Sequence, residues 1–369
     1  MIVGIVGGGQ LGRMLALAGI PLGLRFRVLD PASEAATDPV ADRVVGEYED
    51  YAALADFVRG LDVVTYEFEN VPVRSTRWLA ERVPVHPPPA ALEVAQDRIH
   101  EKQFFVRAGI PVPEFRDVQT RADFDAALAA IGLPAVLKTR RFGYDGKGQA
   151  VLRTAADAEA AWGLLGGRPL ILEQLVPFDR ELSILAVRSR GGATVFYPLV
   201  ENEHRGGILC RSRAPAPDVD RELQTKAERY AAAALEGLDY VGVLAIEFFQ
   251  VNGSLLANEM APRVHNSGHW TIEGAETSQF ENHLRAVIGW PLGSTTAVGH
   301  SLMLNLIGTI PDPAAVLAVD GAHLHLYGKS PRPGRKLGHV TLHAAEAESL
   351  RRQWARLNAE EWAAGQKSI

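Results

Sequence analysis

Residues 2–6 (IVGIV) form a short apolar run that passes directly into the glycine cluster Gly7-Gly8-Gly9-Gln10-Leu11-Gly12. An apolar helical pattern then follows from Arg13 to Ala18. A buried strand that turns through glycines straight into a helix commits the chain to a βαβ beginning, and so to a parallel sheet. Two further apolar runs continue the alternation: Arg25–Leu29, which ends at Asp30, and Asp62–Tyr66, which ends at Glu67. Ligands of such sheets sit at the carboxyl ends of the strands, where the glycines, Asp30 and Glu67 all stand. The proline-rich PVHPPP at Pro84–Pro89 closes this first unit.

GxGxxG after a strand is compatible with three readings. The glycines can let a dinucleotide pyrophosphate approach a helix N-terminus, with Asp30 as the ribose-binding acid of a nicotinamide dehydrogenase. They can hold some other phosphate. They can also be a tight turn with no ligand at all.

Composition narrows the classes. The chain has 369 residues, 47% hydrophobic and 22% charged, which suits two or three globular domains and excludes a disordered chain. No apolar run approaches the ~20 residues of a bilayer span, so no membrane partner is expected. Lys plus Arg number 38 against 44 Asp plus Glu, a net charge of −6 without a basic stripe, so no nucleic-acid partner is expected either. Any anionic ligand must be held by local groups. Cys210 is the single cysteine, which permits no internal disulfide. MIVGIVGGG has no basic segment ahead of its apolar run and does not read as a secretory signal, so a cytoplasmic location is expected.

A helix is expected around Asp97–Ala108, then a second unit from Pro111 with strands at Ala135–Lys138, Ala150–Leu152 and Leu170–Val176 and a helix over Ala155–Leu165. Between its strands lies RRFGYDGKGQ (Arg140–Gln149). A flexible glycine loop can fold over phosphates and donate backbone N–H groups while Lys138 and Lys147 offset their charge. It is not a Walker loop, because GxxxxGK[ST] is absent. The plainer alternative is a solvated hairpin with incidental lysines.

The third region runs to about Val298. It contains strands at Glu181–Ser189 and Thr194–Pro198, a helix at Glu222–Leu235 and a hairpin across Gln250–Ser254. Within it, Glu247 (VLAIEFF) and Glu259 (LLANEMAP) lie in apolar strands, where an acid is costly unless paired or metal-bound. A two-residue turn at Asn252-Gly253 would set Glu247 opposite Asn258, whereas a three-residue loop would set it opposite Glu259. Facing carboxylates repel unless a hard cation bridges them, and Mg²⁺ with nucleotide phosphates is the usual occupant. Two edge carboxylates reaching solvent are the alternative.

Three weaker signals remain. Glu173-Gln174-Leu175-Val176 ends a strand, with Glu181 beyond it, and can either contact adenine and ribose or form a solvated acidic rim. Arg263, His265, Asn266, Ser267 and His269 gather donors behind Glu259 and can cradle a small oxyanion, although either histidine alone can be structural. Lys329, Arg332, Arg335 and Lys336 offer a local site for a phosphate monoester, or a solvent-facing basic turn.

Taken together, GGGQLGRM, TYEFENV, QDR (Gln96–Arg98), LKTRRFGYDGKGQ, NEMAPRVHNSGHWT and HLYGK…GRKLGHV resemble the ATP-grasp superfamily. Within it they look most like the N5-carboxyaminoimidazole ribonucleotide synthetases, the ATP-dependent carboxylases of purine biosynthesis. The match covers nearly the whole chain, and the NSGH stretch and the GRK-containing tail single out that family from sister ligases.

The resemblance implies a mixed α/β and α+β ATP-grasp fold. Its parts would be an N-terminal Rossmann-like domain (1–95), a linker helix with a small lid domain (96–180) and a C-terminal domain (181–369). It implies ATP against Arg98, Lys138, Gly143, Tyr144, Asp145, Gly146, Lys147, Gly148, Gln149, Glu173–Val176, Glu181, His204, Asn258 and Glu259, with Mg²⁺ on Glu247 and Glu259. Aminoimidazole ribonucleotide would lie near Gln10, Leu11, Glu67, Tyr144 and Asp145, its phosphate on Lys329, Arg335 and Lys336. The bicarbonate-derived group would meet Arg263, His265, Asn266 and Ser267. A homodimer is implied as well. Val264 departs from the family's usual second proline in APRPHNSGH, which would loosen that loop while keeping every donor.

Overall fold

The computed structural model describes residues 1–143 and 147–357. Tyr144, Asp145 and Gly146 lie outside the described residues.

Three sheets organise the chain. The first is parallel and runs in the order β3-β2-β1-β4, built from β1 (Ile2–Val6), β2 (Arg25–Asp30), β3 (Asp42–Val45) and β4 (Val63–Tyr66). All four residues of β4 are buried although it ends the sheet, where Val64 bridges to Val85. The helix Gln10–Gly19 starts directly after the glycines, three residues earlier than its apolar pattern does.

The second sheet is antiparallel, order β5-β8-β6-β7, from β5 (Phe115–Val118), β6 (Ala135–Thr139), β7 (Gln149–Leu152) and β8 (Leu170–Gln174). Helices Arg121–Ile131 and Ala155–Leu165 cover it, each started by a threonine capping box, Thr120 with Asp123 and Thr154 with Asp157.

The third sheet has nine strands: β9 (Arg180–Arg188), β10 (Thr194–Phe196), β11 (Val200–Arg205), β12 (Ile208–Ala214), β13 (Gly242–Val251), β14 (Ser254–Ala261), β15 (His300–Ile307), β16 (Ala322–Leu326) and β17 (Lys336–Ala344). Its order is β14-β13-β9-β11-β12-β15-β17-β16, with β10 on β9. The basic tail thus belongs to the sheet that carries Glu247 and Glu259. The helix Arg98–Arg107 packs against this sheet, its Phe104 and Phe105 sharing a core with Leu182, Ile184 and Leu244. Among the described residues no helix is long and apolar enough to cross a membrane.

Candidate active site

The N-terminal glycine loop is filled from within the protein. Gly9 and Gly12 N–H donate to Glu67 Oε1 and Oε2 at 2.5 and 2.8 Å, and Gly8 N–H donates to Asp30 Oδ2 at 2.7 Å. The helix-start amides that would cradle a pyrophosphate therefore hold two strand-end carboxylates. A Cβ on Gly9 would lie 2.4 Å from Glu67 Oε1, so a larger residue there would have to displace the carboxylate from its amides. Asp30 also accepts from Tyr48 Oη at 3.0 Å, which occupies the acid that a dinucleotide ribose would need. The dehydrogenase reading loses both of its contacts. Burial raises the Glu67 carboxyl above its usual range, against the pull of the two glycine amides.

The tail reaches this loop. Lys329 Nζ donates to Gln10 Oε1 across 319 residues of sequence. Burial lowers the Lys329 ammonium, against the attraction of Glu67 and with the help of Arg335, Arg332 and Lys336. Arg335 Nη1 donates to Ser330 O at 3.1 Å, and Lys336 opens β17. Leu11 instead packs into the core with Met14 and Leu15, so its side chain faces away from solvent.

The second glycine loop is anchored at its base. Thr139 N–H donates to Gly148 O at 2.8 Å, and Gln149 pairs with Lys138 on the ladder. Arg98 Nη2 donates to Gly143 O at 3.3 Å. Arg140 Nη2 and Nε hold Asp97 at 2.7 and 3.0 Å, while Asp97 caps the helix Arg98–Arg107 through Ile99 N–H at 3.0 Å. Lys147 is exposed.

Behind the loop, Lys138 Nζ donates to Glu173 Oε2 at 2.9 Å, and Lys102 Nζ stands 3.8 Å from the same oxygen. Burial opposes the Glu173 charge, but Lys102 and Lys138 outweigh it and hold the carboxyl at about 2. Glu173 Oε1 is buried with no hydrogen-bond partner among the described residues. Gln174 N–H donates to Glu114 O and Leu175 N–H to Pro134 O, which turns the chain out of β8; Val176 is buried. Glu181 Oε2 and His204 Nδ1 lie 2.8 Å apart, and although burial works against it this contact raises the imidazole above its usual value.

Glu247 stands opposite Glu259 between β13 and β14. The turn is the two-residue form, with Asn252 and Gly253 at φ 47° and 76°. That register alone would pair Glu247 with Asn258, but a bulge after Ala257 moves the pairing by one residue. Neither loop length considered from the sequence accounts for the pairing by itself. Arg98 Nη1 donates to Glu259 Oε2 at 2.9 Å, and despite burial lowers that carboxyl. Burial and the facing Glu259 push Glu247 up to about 7.

The helix Arg98–Arg107 also supplies Glu101, whose Oε1 accepts from Met260 N–H at 2.7 Å, and Lys102, which donates to Ala257 O and Asn258 O at 3.1 and 2.7 Å. Asn258 Oδ1 is buried with no hydrogen-bond partner among the described residues. Two facing carboxylates beside an orphaned amide oxygen suit a hard divalent cation. Among the described residues no cluster of three His, Cys, Asp or Glu side chains has metal-binding geometry, so such a cation would complete its shell with phosphate and water oxygens.

The loop after β14 joins the two halves. Arg263 Nε donates to Glu69 Oε2 at 2.5 Å, and Glu69 follows Glu67 at the end of β4. Gln96 Nε2 donates to Glu69 O and Val71 O at 2.8 and 2.7 Å, while its Oε1 accepts from Arg141 Nη2 at 2.6 Å. His265 Nε2 lies 3.3 Å from Glu247 Oε1. Burial, then Arg263, lower the His265 imidazole well below its usual value. Asn266 and Asn305 exchange amide hydrogen bonds at 3.0 and 2.7 Å. Val264 is fully buried and its carbonyl accepts from Arg263 Nη1 at 3.0 Å, so the residue that departs from the family pattern is tied into the core. Glu69, Gln96, Glu101 and Lys102 had no assigned role in the sequence reading; TYEFENV and QDR contain the first two, whereas no spacing marks the others.

Three family models match along the chain: a ribonucleotide synthetase preATP-grasp domain over residues 1–96, an ATP-grasp domain over 103–280 and a phosphoribosylaminoimidazole carboxylase C-terminal domain over 301–353. The N5-carboxyaminoimidazole ribonucleotide synthase of Pseudomonas aeruginosa is 55% identical, over 97% of this chain and 99% of the relative. The chain belongs to the N5-carboxyaminoimidazole ribonucleotide synthase family. Family structures superpose closely on it. The synthetase from Thermus thermophilus shares 61% identity at a TM-score of 0.94, covering 97% of this chain and 98% of that one. The Aspergillus clavatus synthase, solved in complex with ADP and 5-aminoimidazole ribonucleotide, shares 30% identity at a TM-score of 0.89, with coverage of 97% and 98%. This family has the ATP-grasp fold with its preATP-grasp and C-terminal domains, and its members are ATP-dependent ligases.

Proposed function

We propose that the protein carboxylates 5-aminoimidazole ribonucleotide with bicarbonate at the expense of ATP, giving N5-carboxyaminoimidazole ribonucleotide, ADP and phosphate in purine biosynthesis. The observation that carries this reading is the Arg263–Glu69 pair. It sets one donor-rich loop between the acids of the β13–β14 hairpin and the loop where Gln10, Glu67 and Lys329 meet. A reaction that phosphorylates one small anion and hands it to a second substrate needs such a junction.

In the chemistry proposed, a bicarbonate oxygen attacks the γ-phosphorus of ATP, the bond to the ADP oxygen breaks, and carboxyphosphate forms. The exocyclic amine then bonds to the carboxyl carbon, of carboxyphosphate or of CO₂ released from it; phosphate leaves and the amine loses a proton. Lys138, Lys147 and the glycine loop would hold the phosphates, and Glu173–Val176, Glu181 and His204 the nucleoside. Glu247 and Glu259, with Asn258 beside them, would hold Mg²⁺, which when bound neutralises charge on the phosphates. Arg263, His265 and Asn266 would orient the bicarbonate-derived group, and Lys329, Arg335 and Lys336 the ribonucleotide phosphate. The division at 1–95, 96–180 and 181–369, a closing role for the Gly143–Gly148 loop and a homodimeric assembly belong to the same proposal.

Phosphate release measured with ATP, Mg²⁺, bicarbonate and aminoimidazole ribonucleotide, omitting one at a time, tests it. Full release only with the complete set is expected. Equal release without the ribonucleotide or with glycinamide ribonucleotide in its place would point to another ligase.

A further inference from the structure

A row of polar side chains crosses the interior of the nine-stranded sheet. Register sets Ser183 opposite Glu247 and Asn202 opposite Ser212, and Ser183, Asn202, Ser212 and Ser267 are all buried. Each such group costs about 1–3 kcal/mol when buried without a partner, so it matters whether these four are all hydrogen-bonded.

They are, and in one direction. Ser267 N–H donates to His265 Nδ1 at 3.3 Å, so that nitrogen presents its lone pair; a proton there would face another proton. Ser267 Oγ, 2.9 Å from the same nitrogen, therefore donates to it. Its oxygen is left to accept from Ser183 Oγ at 2.8 Å, and Ser183 accepts in turn from Asn202 Nδ2 at 2.9 Å. With Nδ2 on Ser183, Asn202 presents Oδ1 to Ser212, whose Oγ donates to it at 2.7 Å. The backbone N–H sets the direction of the chain and the donors behind Ser267 hold it, since without Ser183 the Ser267 oxygen would be free to accept from a proton on Nδ1. A neutral imidazole with its lone pair at Nδ1 carries its proton on Nε2, the atom 3.3 Å from Glu247 Oε1.

We propose that Ser183, Asn202 and Ser212 are positioning residues, a one-way hydrogen-bond chain that holds His265 as an Nε2–H donor towards the oxyanion bound beside Glu247. This rests on the carboxylation proposed above and adds to it what keeps His265 in one tautomer and one orientation. The chain also determines what Ser267 does. Its hydroxyl proton is committed to His265, so towards the oxyanion Ser267 acts through the imidazole.

The test is the ¹⁵N signature of His265 in the intact protein, read together with kcat and the KM for ATP. The wild-type protein is expected to carry the proton on Nε2 alone. Ser183→Ala should lower kcat roughly 10-fold with the KM for ATP unchanged, and show a mixture of Nε2–H and Nδ1–H forms. Ser183→Thr, which keeps the hydroxyl, should restore both. A wild-type His265 protonated on Nδ1 overturns the proposal. So does a Ser183→Ala variant that keeps the wild-type tautomer, whether or not its kcat falls. The tautomer is read without turnover, so an inactive wild-type enzyme would count against the carboxylation and leave this result standing.

Discussion

Glu247 faces Glu259 across β13 and β14 because the ladder slips by one residue at Asn258. The same bulge leaves the Asn258 carbonyl on Lys102 and its side-chain oxygen buried beside the two acids. Burial, with repulsion from Glu259, holds the Glu247 carboxyl up at about 7, and a cation between the pair would relieve the repulsion. Glu259→Gln removes one arm and is expected to cut ADP formation roughly 100-fold or more, the several kcal/mol a bound metal supplies. Rates compared across a Mg²⁺ titration check this; near-wild-type turnover at ordinary Mg²⁺ would sink the metal assignment.

Glu67 accepts from two glycine amides at once. In Glu67→Gln one of those N–H groups meets an NH₂ instead of an oxygen, which costs about 1–3 kcal/mol. Urea unfolding should show that loss, and the KM for the ribonucleotide should rise while that for ATP stays. An unchanged unfolding curve contradicts the role given to this carboxylate.

Lys329 bridges the tail to Gln10. Lys329→Met should raise the KM for the ribonucleotide roughly 10- to 100-fold, in line with about 1.5–3 kcal/mol for a hydrogen bond to a charged group. Initial rates against each substrate in turn measure it. A rise in the KM for ATP alone would place the sugar phosphate elsewhere.

The Glu173 carboxyl sits at about 2 in the folded protein, against 4.5 for the free group. A depressed folded value stabilises the fold above the unfolded one, and that stability is lost as pH falls from about 4.5 through about 2. The full effect is on the order of 3 kcal/mol. Glu173→Gln should therefore be less stable at neutral pH, with Lys102 and Lys138 deprived of their countercharge, and its stability should fall less between pH 7 and pH 3. Urea midpoints at the two pH values decide; equal falls in both proteins contradict the pairing.

Much of the fold was legible because it follows local rules. The strand–glycine–helix start and the Asn252-Gly253 turn each state their conformation within a few residues. What stayed hidden depends on tertiary partners. The GGGQLG loop looks the same whether its amides hold a phosphate or Glu67, 55 and 58 residues away. The bulge at Asn258 has no turn signal, since it is held by Lys102 from another element. Glu101 and Lys102 sit in a helix that buries an acid and a base together, which no apolar periodicity marks. Ser183, Asn202 and Ser212 come from three strands and meet only in the sheet.

The most direct test of the central claim follows the bicarbonate oxygens. With ¹⁸O-labelled bicarbonate, ATP and aminoimidazole ribonucleotide, one labelled oxygen is expected in the phosphate released per turnover, because the oxygen that attacks the γ-phosphorus stays with it. Phosphate free of label, alongside normal product formation, would contradict a carboxyphosphate route.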